Sequence, residues 1–147
     1  MNFLLDTNVV SEWMKPQPAP GVISWLADVD EDRVFISVVT LSEIRYGIER
    51  LPLGRRRKQL EDWLQYELPL RFEGRILSVD PTIADASGRI SARSEYAGRP
   101  IKAIDSFIAA TAEVHQLMLV TRDESDFETV VKGILNPWKD NGRERPH

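Results

Sequence analysis

Cysteine is absent from this chain, and histidine occurs only twice. Without thiols there is no disulfide framework and no thiolate metal site, a composition that suits a reducing cytoplasm. No apolar run approaches the roughly 20 residues that a membrane-spanning helix needs. The opening Met1-Asn-Phe-Leu-Leu-Asp6 lacks the basic start of a signal peptide and soon meets an acid. An excess of positive charge is missing too: 23 acidic residues outnumber 19 basic ones, for a net charge of −4. Bulk attraction to a nucleic acid is therefore excluded as the main binding force, whereas contact with phosphates through bound cations is not. Neither an internal repeat nor a low-complexity segment is found.

What is present is ordinary for a globular chain. At 147 residues, 42% hydrophobic and 29% charged, it has the length of one domain that buries a real core. The expected division is a domain over 1-138 and a polar, flexible tail over 139-147.

The stretch from Gly98 to Asp123 organises the rest. Ile104, Phe107, Ile108, Thr111, Val114 and His115 recur at helical spacing, so this helix is expected to lay that side on a core. Gln116-Leu-Met-Leu-Val-Thr121 then reads as a strand covered on both faces. Upstream, Asn2-Phe-Leu-Leu-Asp6 reads as a first strand whose carboxyl end carries Asp6. Lys15-Pro-Gln-Pro-Ala-Pro-Gly21 breaks the chain before a helix to about Asp30. Arg33 to Val39 is a second strand, and Thr40-Leu-Ser-Glu43 has the form of a capping box opening a helix through Arg50. A further helix runs from Arg55 to about Glu67; its Arg55-Arg56-Arg57 start is read as solvated rather than as an RNA track. Arg75 to Val79 is a third strand, ended by Asp80-Pro81, an N-cap followed by proline at the first helical position. Gly133 to Asn136 forms a last edge strand stopped by Pro137. Strands alternating with helices predict an α/β fold with a mainly parallel sheet.

In such sheets ligands bind beyond the carboxyl ends of the strands. Asp6, Glu43 and Asp123 fall at or just past strand ends, with Asp105 at a helix start beside them. Each acid alone has a capping or turn explanation. Together they form a carboxylate cluster whose mutual repulsion demands protons or cations. Oxygen donors with no thiol select Mg²⁺ or Mn²⁺ over Zn²⁺, and a natural use of such an ion is phosphodiester hydrolysis.

At these residues the chain resembles the PIN-domain ribonucleases, specifically the VapC/FitB-like toxins of type II toxin–antitoxin pairs. The matching pieces are Leu-Leu-Asp6-Thr-Asn-Val, Ser-Val-Val-Thr-Leu-Ser-Glu43-Ile-Arg-Tyr-Gly, Ile-Asp105-Ser-Phe-Ile-Ala-Ala-Thr-Ala, Leu-Val-Thr-Arg-Asp123-Glu-Ser-Asp126-Phe and Asn-Pro-Trp138. The resemblance implies a PIN-like three-layer α/β fold, with a five-stranded parallel sheet flanked by helices and a Mg²⁺-dependent acidic pocket. It implies Asp6 and Asp105 as principal metal ligands, with Glu43 and Asp123 ligating directly or through water. Some relatives carry asparagine at the position of Asp123 and keep the acid matching Asp126, so the choice between these two is left open. Thr7, Asn8 and Thr121 are candidate supporting groups, and Arg99 and Lys102 candidate RNA contacts. The resemblance further implies a cytoplasmic homodimer, RNA as substrate, and an antitoxin that blocks the pocket and alone contacts DNA. Trp13, Met14 and Trp25 are read as core by default, with an exposed cleft near them as the candidate docking surface. Three other readings stand beside this one: a PIN domain for RNA processing or scaffolding, a Mg²⁺-binding receiver-like domain, and an aspartyl phosphatase. The last would want a second acid where this chain has Asn8.

Overall fold

The computed structural model describes residues 1–139. The expected tail over 139-147 therefore lies, beyond Lys139, outside the described residues. Five parallel strands stand in the order β3-β2-β1-β4-β5. They are β1 (Phe3–Leu5), β2 (Val34–Ser37), β3 (Ile76–Leu77), β4 (Met118–Val120) and β5 (Ile134–Leu135). The helices are α1 (Thr7–Val10), α2 (Pro20–Asp28), α3 (Val38–Glu49), α4 (Arg55–Asp62), α5 (Leu68–Arg71), α6 (Pro81–Tyr96), α7 (Ala103–His115) and α8 (Glu124–Phe127). The strands are shorter than the apolar runs suggested; β1 and β2 end where the chain turns into α1 and α3.

Side-chain alternation along the short strands makes two cores. Phe3, Leu5, Ile36, Met118 and Val120 face α1 to α5, where they meet Val9, Trp25, Ile44, Ile48 and Leu68. Leu4 and Leu119 face the opposite way, against Ile83 and Ile90 of α6, Ile108 and Ala109 of α7, and Phe127. A period of two therefore places the sheet as the middle of three layers. Buried Ala109, Ala110 and Ala112 keep α7 slim on its inner side, and a Ser87–Ser106 hydroxyl bond of 2.8 Å ties it to α6.

Several expectations change. The capping box is not formed: Ser37 caps α3, its hydroxyl accepting the Val39 N–H at 3.1 Å. Thr40 is buried inside the helix and Glu43 sits in its second turn. His115 is exposed rather than packed, since α7 ends there and Gln116 turns left-handed at φ 54°. The helix from Arg55 does not stop near Glu67. A π-turn over Trp63–Glu67 carries it on into α5; this widening accommodates Pro69, which has no N–H to offer and would crowd the carbonyl one turn back. Asp80 behaves as expected, capping α6 through the Ile83 N–H at 2.9 Å with Pro81 next.

The cleft near Trp13, Met14 and Trp25 is also corrected. Trp25 is 4% exposed and meets Phe3 edge-to-face at 5.1 Å. Trp13 and Met14 pack on the same core, with the Arg71 guanidinium 4.2 Å from the Trp13 ring centre. Exposed large apolar side chains lie instead on and between α3, α4 and α5, namely Tyr46, Leu53, Tyr66 and Leu70, and at Met1 and Tyr96. Arg57 is bound to Glu49 and Glu61, which leaves Arg55 and Arg56 as the solvated part of that run.

Candidate active site

The strand order reverses direction at β1, which has β2 on one side and β4 on the other. This is the switch point at which open parallel sheets leave a crevice beyond the strand ends. Asp6 enters it straight from β1, its N–H bonded to the Val120 carbonyl of β4 at 2.9 Å. An open cavity of about 510 Å³ occupies the crevice, and Asp6, Glu43, Asp105, Asp123 and Asp126 all line it. A larger cavity of about 620 Å³ lies at the opposite end of β4, around Met1, Leu117, Met118 and Gly133, with Glu113 and Lys132 as its charged groups. Size does not pick the site; the concentration of carboxylates does.

Asp6 is 6% exposed. One of its oxygens accepts the Thr7 N–H at 2.8 Å, and the other accepts the Thr121 hydroxyl at 2.8 Å. It thus caps α1 and faces the cavity at once. Burial pushes its pKa up to about 6 against the two hydrogen bonds, and the charges of Asp105 and Glu43 push the same way. Asp105, in the first turn of α7, is also raised, first by burial and then by Asp126 and Glu43, with Lys102 pulling it down. No protein group among the described residues hydrogen-bonds to its carboxylate. Glu43 accepts the Thr7 hydroxyl, which also approaches Thr40 at 3.2 Å.

Asn8 spans the two strand ends. Its amide nitrogen lies 3.2 Å from an Asp123 oxygen and 3.4 Å from both Asp6 and Thr121. Asp123 precedes α8 without capping it; the Thr121 hydroxyl accepts its N–H at 3.0 Å. Asp126 is exposed and weighs more on Asp105 than Asp123 does. Both acids reach the cavity, so the choice between them is one of side-chain contact rather than of place. Lys102 lines the same cavity. Arg99 does not: it lines a neighbouring pocket and bonds the Ser125 carbonyl at 3.2 Å.

Sequence reasoning missed Lys15 and Arg122 on this wall, and the buried Glu12 behind them. The only signal was an acid and a lysine spaced i, i+3, which ordinarily marks a solvated helix face.

A divalent cation fits these residues. The donors are oxygens alone, and the charges of Asp105 and Glu43 add to the burial that raises the Asp6 carboxyl pKa to about 6. Among the described residues no three acidic side chains close round one point. An ion there would keep part of its water shell, the habit of Mg²⁺.

The fold is shared with known proteins. The family model for the PIN domain matches residues 3–133. Toxin FitB of Neisseria gonorrhoeae is 37% identical over 137 residues, covering 93% of this chain and 99% of that one. VapC ribonuclease Y4jK of Sinorhizobium fredii is 35% identical over 136 residues, 92% and 97% of the two chains. The similar solved structures include toxin–antitoxin complexes. One chain of FitAB bound to an IR36 DNA fragment matches with a TM-score of 0.87 at 35% identity, covering 92% of this chain and 95% of that one.

Proposed function

The chain belongs to the PIN-domain family, and from that premise we propose that it is a Mg²⁺-dependent endoribonuclease, the toxin of a type II toxin–antitoxin pair. Family membership removes the receiver and phosphatase readings. The observation that carries the proposal is the buried Asp6 carboxyl, flanked by Asp105 and Glu43, in the crevice at the switch point. Ribonucleases of this family are metal-dependent. The assignment of Mg²⁺, with Mn²⁺ as a substitute, follows from the all-oxygen donor set.

In this reading Asp6 and Asp105 hold the ion, and Glu43 with Asp123 or Asp126 completes the site directly or through water. When bound, the cation supplies a Lewis acid that lowers the pKa of a water and offsets charge on the phosphate. The chain's own groups orient the carboxylates. Thr121 and the Thr7 N–H fix both oxygens of Asp6, the Thr7 hydroxyl fixes Glu43, and Asn8 keeps Asp123 against the β1 end of the crevice. As a carboxylate just outside an ion's shell, Glu43 or Asp123 would orient the attacking water and take its proton. The substrate is structured RNA of the tRNA or rRNA kind. A cognate antitoxin covers the pocket, offering a cation to the carboxylates, and carries the DNA contacts. The exposed Tyr46, Leu53, Tyr66 and Leu70 are the apolar surface available to that partner or to a second copy in a homodimer. No described helix is long and apolar enough to cross a membrane, and the cytoplasm is the compartment where RNA and partner meet.

The test is RNA cleavage by the purified, partner-free chain, with new ends mapped across a total RNA sample. Wild type should give discrete ends with Mg²⁺ or Mn²⁺ and none with EDTA. Asp105→Asn, which removes a cavity carboxylate that caps no helix, should lose on the order of 10²-fold or more, beyond the usual cost of disturbing a group around the metal. A folded wild-type chain that leaves no new ends with either metal would return the protein to a scaffolding role.

A further inference from the structure

Glu12 stands in a 3₁₀ turn over Ser11–Met14, yet it is only 2% exposed. A buried carboxylate is costly unless it is paired and hydrogen-bonded. Here one oxygen accepts the Ala19 N–H at 2.8 Å, and the other meets Lys15 Nζ at 2.5 Å. Arg122, arriving from the far side of the crevice after β4, adds a second positive charge to the field at Glu12. Its guanidinium is restrained as well, 5.6 Å from the Trp138 ring centre and 3.7 Å from Asp123.

Lys15 and Arg122 nonetheless remain about half exposed, at 50% and 52%, and both line the carboxylate cavity. Lys15 makes no ion pair with the cavity acids among the described residues; its partner is Glu12, behind the wall. A buried acid is thus spent on holding a cation at the rim of a negative pocket. That arrangement suits a polyanion. A divalent ion compensates the one phosphate that reaches the carboxylates, while the neighbouring phosphates of the same strand are repelled unless fixed cations receive them.

We propose that Lys15, anchored on Glu12, and Arg122, held by Trp138 and Asp123, form a clamp for an RNA phosphate adjacent to the one presented to the carboxylates. The proposal rests on the ribonuclease reading. Lysine offers a point charge and arginine a planar fork, so the pair grips one phosphate from two sides.

The test is binding of a labelled single-stranded RNA of mixed sequence at several salt concentrations, in an Asp105→Asn background where the strand stays intact. Lys15→Met and Arg122→Met should each weaken binding several-fold. Each should also reduce the slope of log affinity against log salt by about 0.7, one phosphate contact on single-stranded nucleic acid. Lys15→Arg should restore the slope, which a merely structural role for the Glu12–Lys15 pair would not predict for binding. Lys132→Met, at the opposite end of the strands, is the control for bulk charge and should leave the slope unchanged. Unaltered slopes in both clamp variants overturn the proposal, as does an equal loss in Lys132→Met. Cleavage by the wild-type chain with Mg²⁺ is scored separately. Cutting with unaltered slopes sinks the clamp alone, whereas absence of cutting sinks the ribonuclease reading and leaves the slopes to decide the clamp.

Discussion

At Asp6 one side chain serves both the folding of α1 and the chemistry of the crevice, and the two roles pull on its proton differently. Its pKa in the folded chain is raised from 3.8 to about 6, so the folded state binds the proton more tightly than the unfolded state. The contribution to stability is therefore largest below about pH 4 and is lost as pH rises through about 6. One pKa unit is about 1.4 kcal/mol, which makes the loss about 3 kcal/mol for the metal-free chain. Urea unfolding in EDTA should show this decline between pH 4 and 7. Asp6→Asn should flatten that decline, and a profile that keeps its slope in the variant would assign the titration elsewhere. Divalent ions compete with the same proton, so their affinity should climb over the same interval. Thr121→Val removes the hydroxyl that favours the charged form of Asp6. The expected cost is about 10- to 100-fold in metal affinity or activity, read as the Mg²⁺ concentration for half-maximal cleavage. Asp6 could be singled out from the chain alone because an apolar strand runs straight into it. Glu12 could not, because an acid and a lysine at i, i+3 look the same whether the acid is solvated or buried.

Among the elements, α3 separates local from tertiary causes. Thr40-Leu-Ser-Glu43 satisfies the capping-box pattern, but the strand ends early and Ser37 takes the cap. Thr40 is drawn inside, against Thr7. Ser37→Ala should cost about 1 kcal/mol of stability by chemical denaturation, with activity per folded molecule kept. An equal cost from Glu43→Ala, with Ser37→Ala silent, would restore the capping box. The shift matters for the site: one helical turn moves Glu43 from tying down its own helix to receiving the Thr7 hydroxyl. The π-turn before Pro69 is a similar case. Proline alone signals a stop, yet packing of Leu64 and Leu68 into the core favours carrying the helix through with a wider turn.

At the scale of the whole molecule, the site exists because the chain crosses from β3 on one edge to β4 on the other side of β1. That crossing brings residues 6 and 121 into hydrogen-bond contact and leaves the crevice that the acids line. The core on the α1–α5 side supports β1 from beneath, with Trp25 against Phe3. Trp25→Ala should therefore cost about 3–5 kcal/mol, the usual range for a buried tryptophan, a large share of a typical domain's about 5–15 kcal/mol. Thermal unfolding that barely moves would contradict its place in the core.

The alternation of strand and helix, the parallel sheet, and Asp6 at the end of β1 could be read from residue order, because side-chain period and strand–helix punctuation are local properties of the chain. The capping of Asp80 was legible for the same reason. Tertiary structure alone decided that Glu43 turns toward Thr7 and that Glu12 is buried behind Lys15, and it chose core over partner surface for Trp25. Each of these depends on which neighbours arrive from distant parts of the chain, and burial and charge pairing are settled only by that arrival.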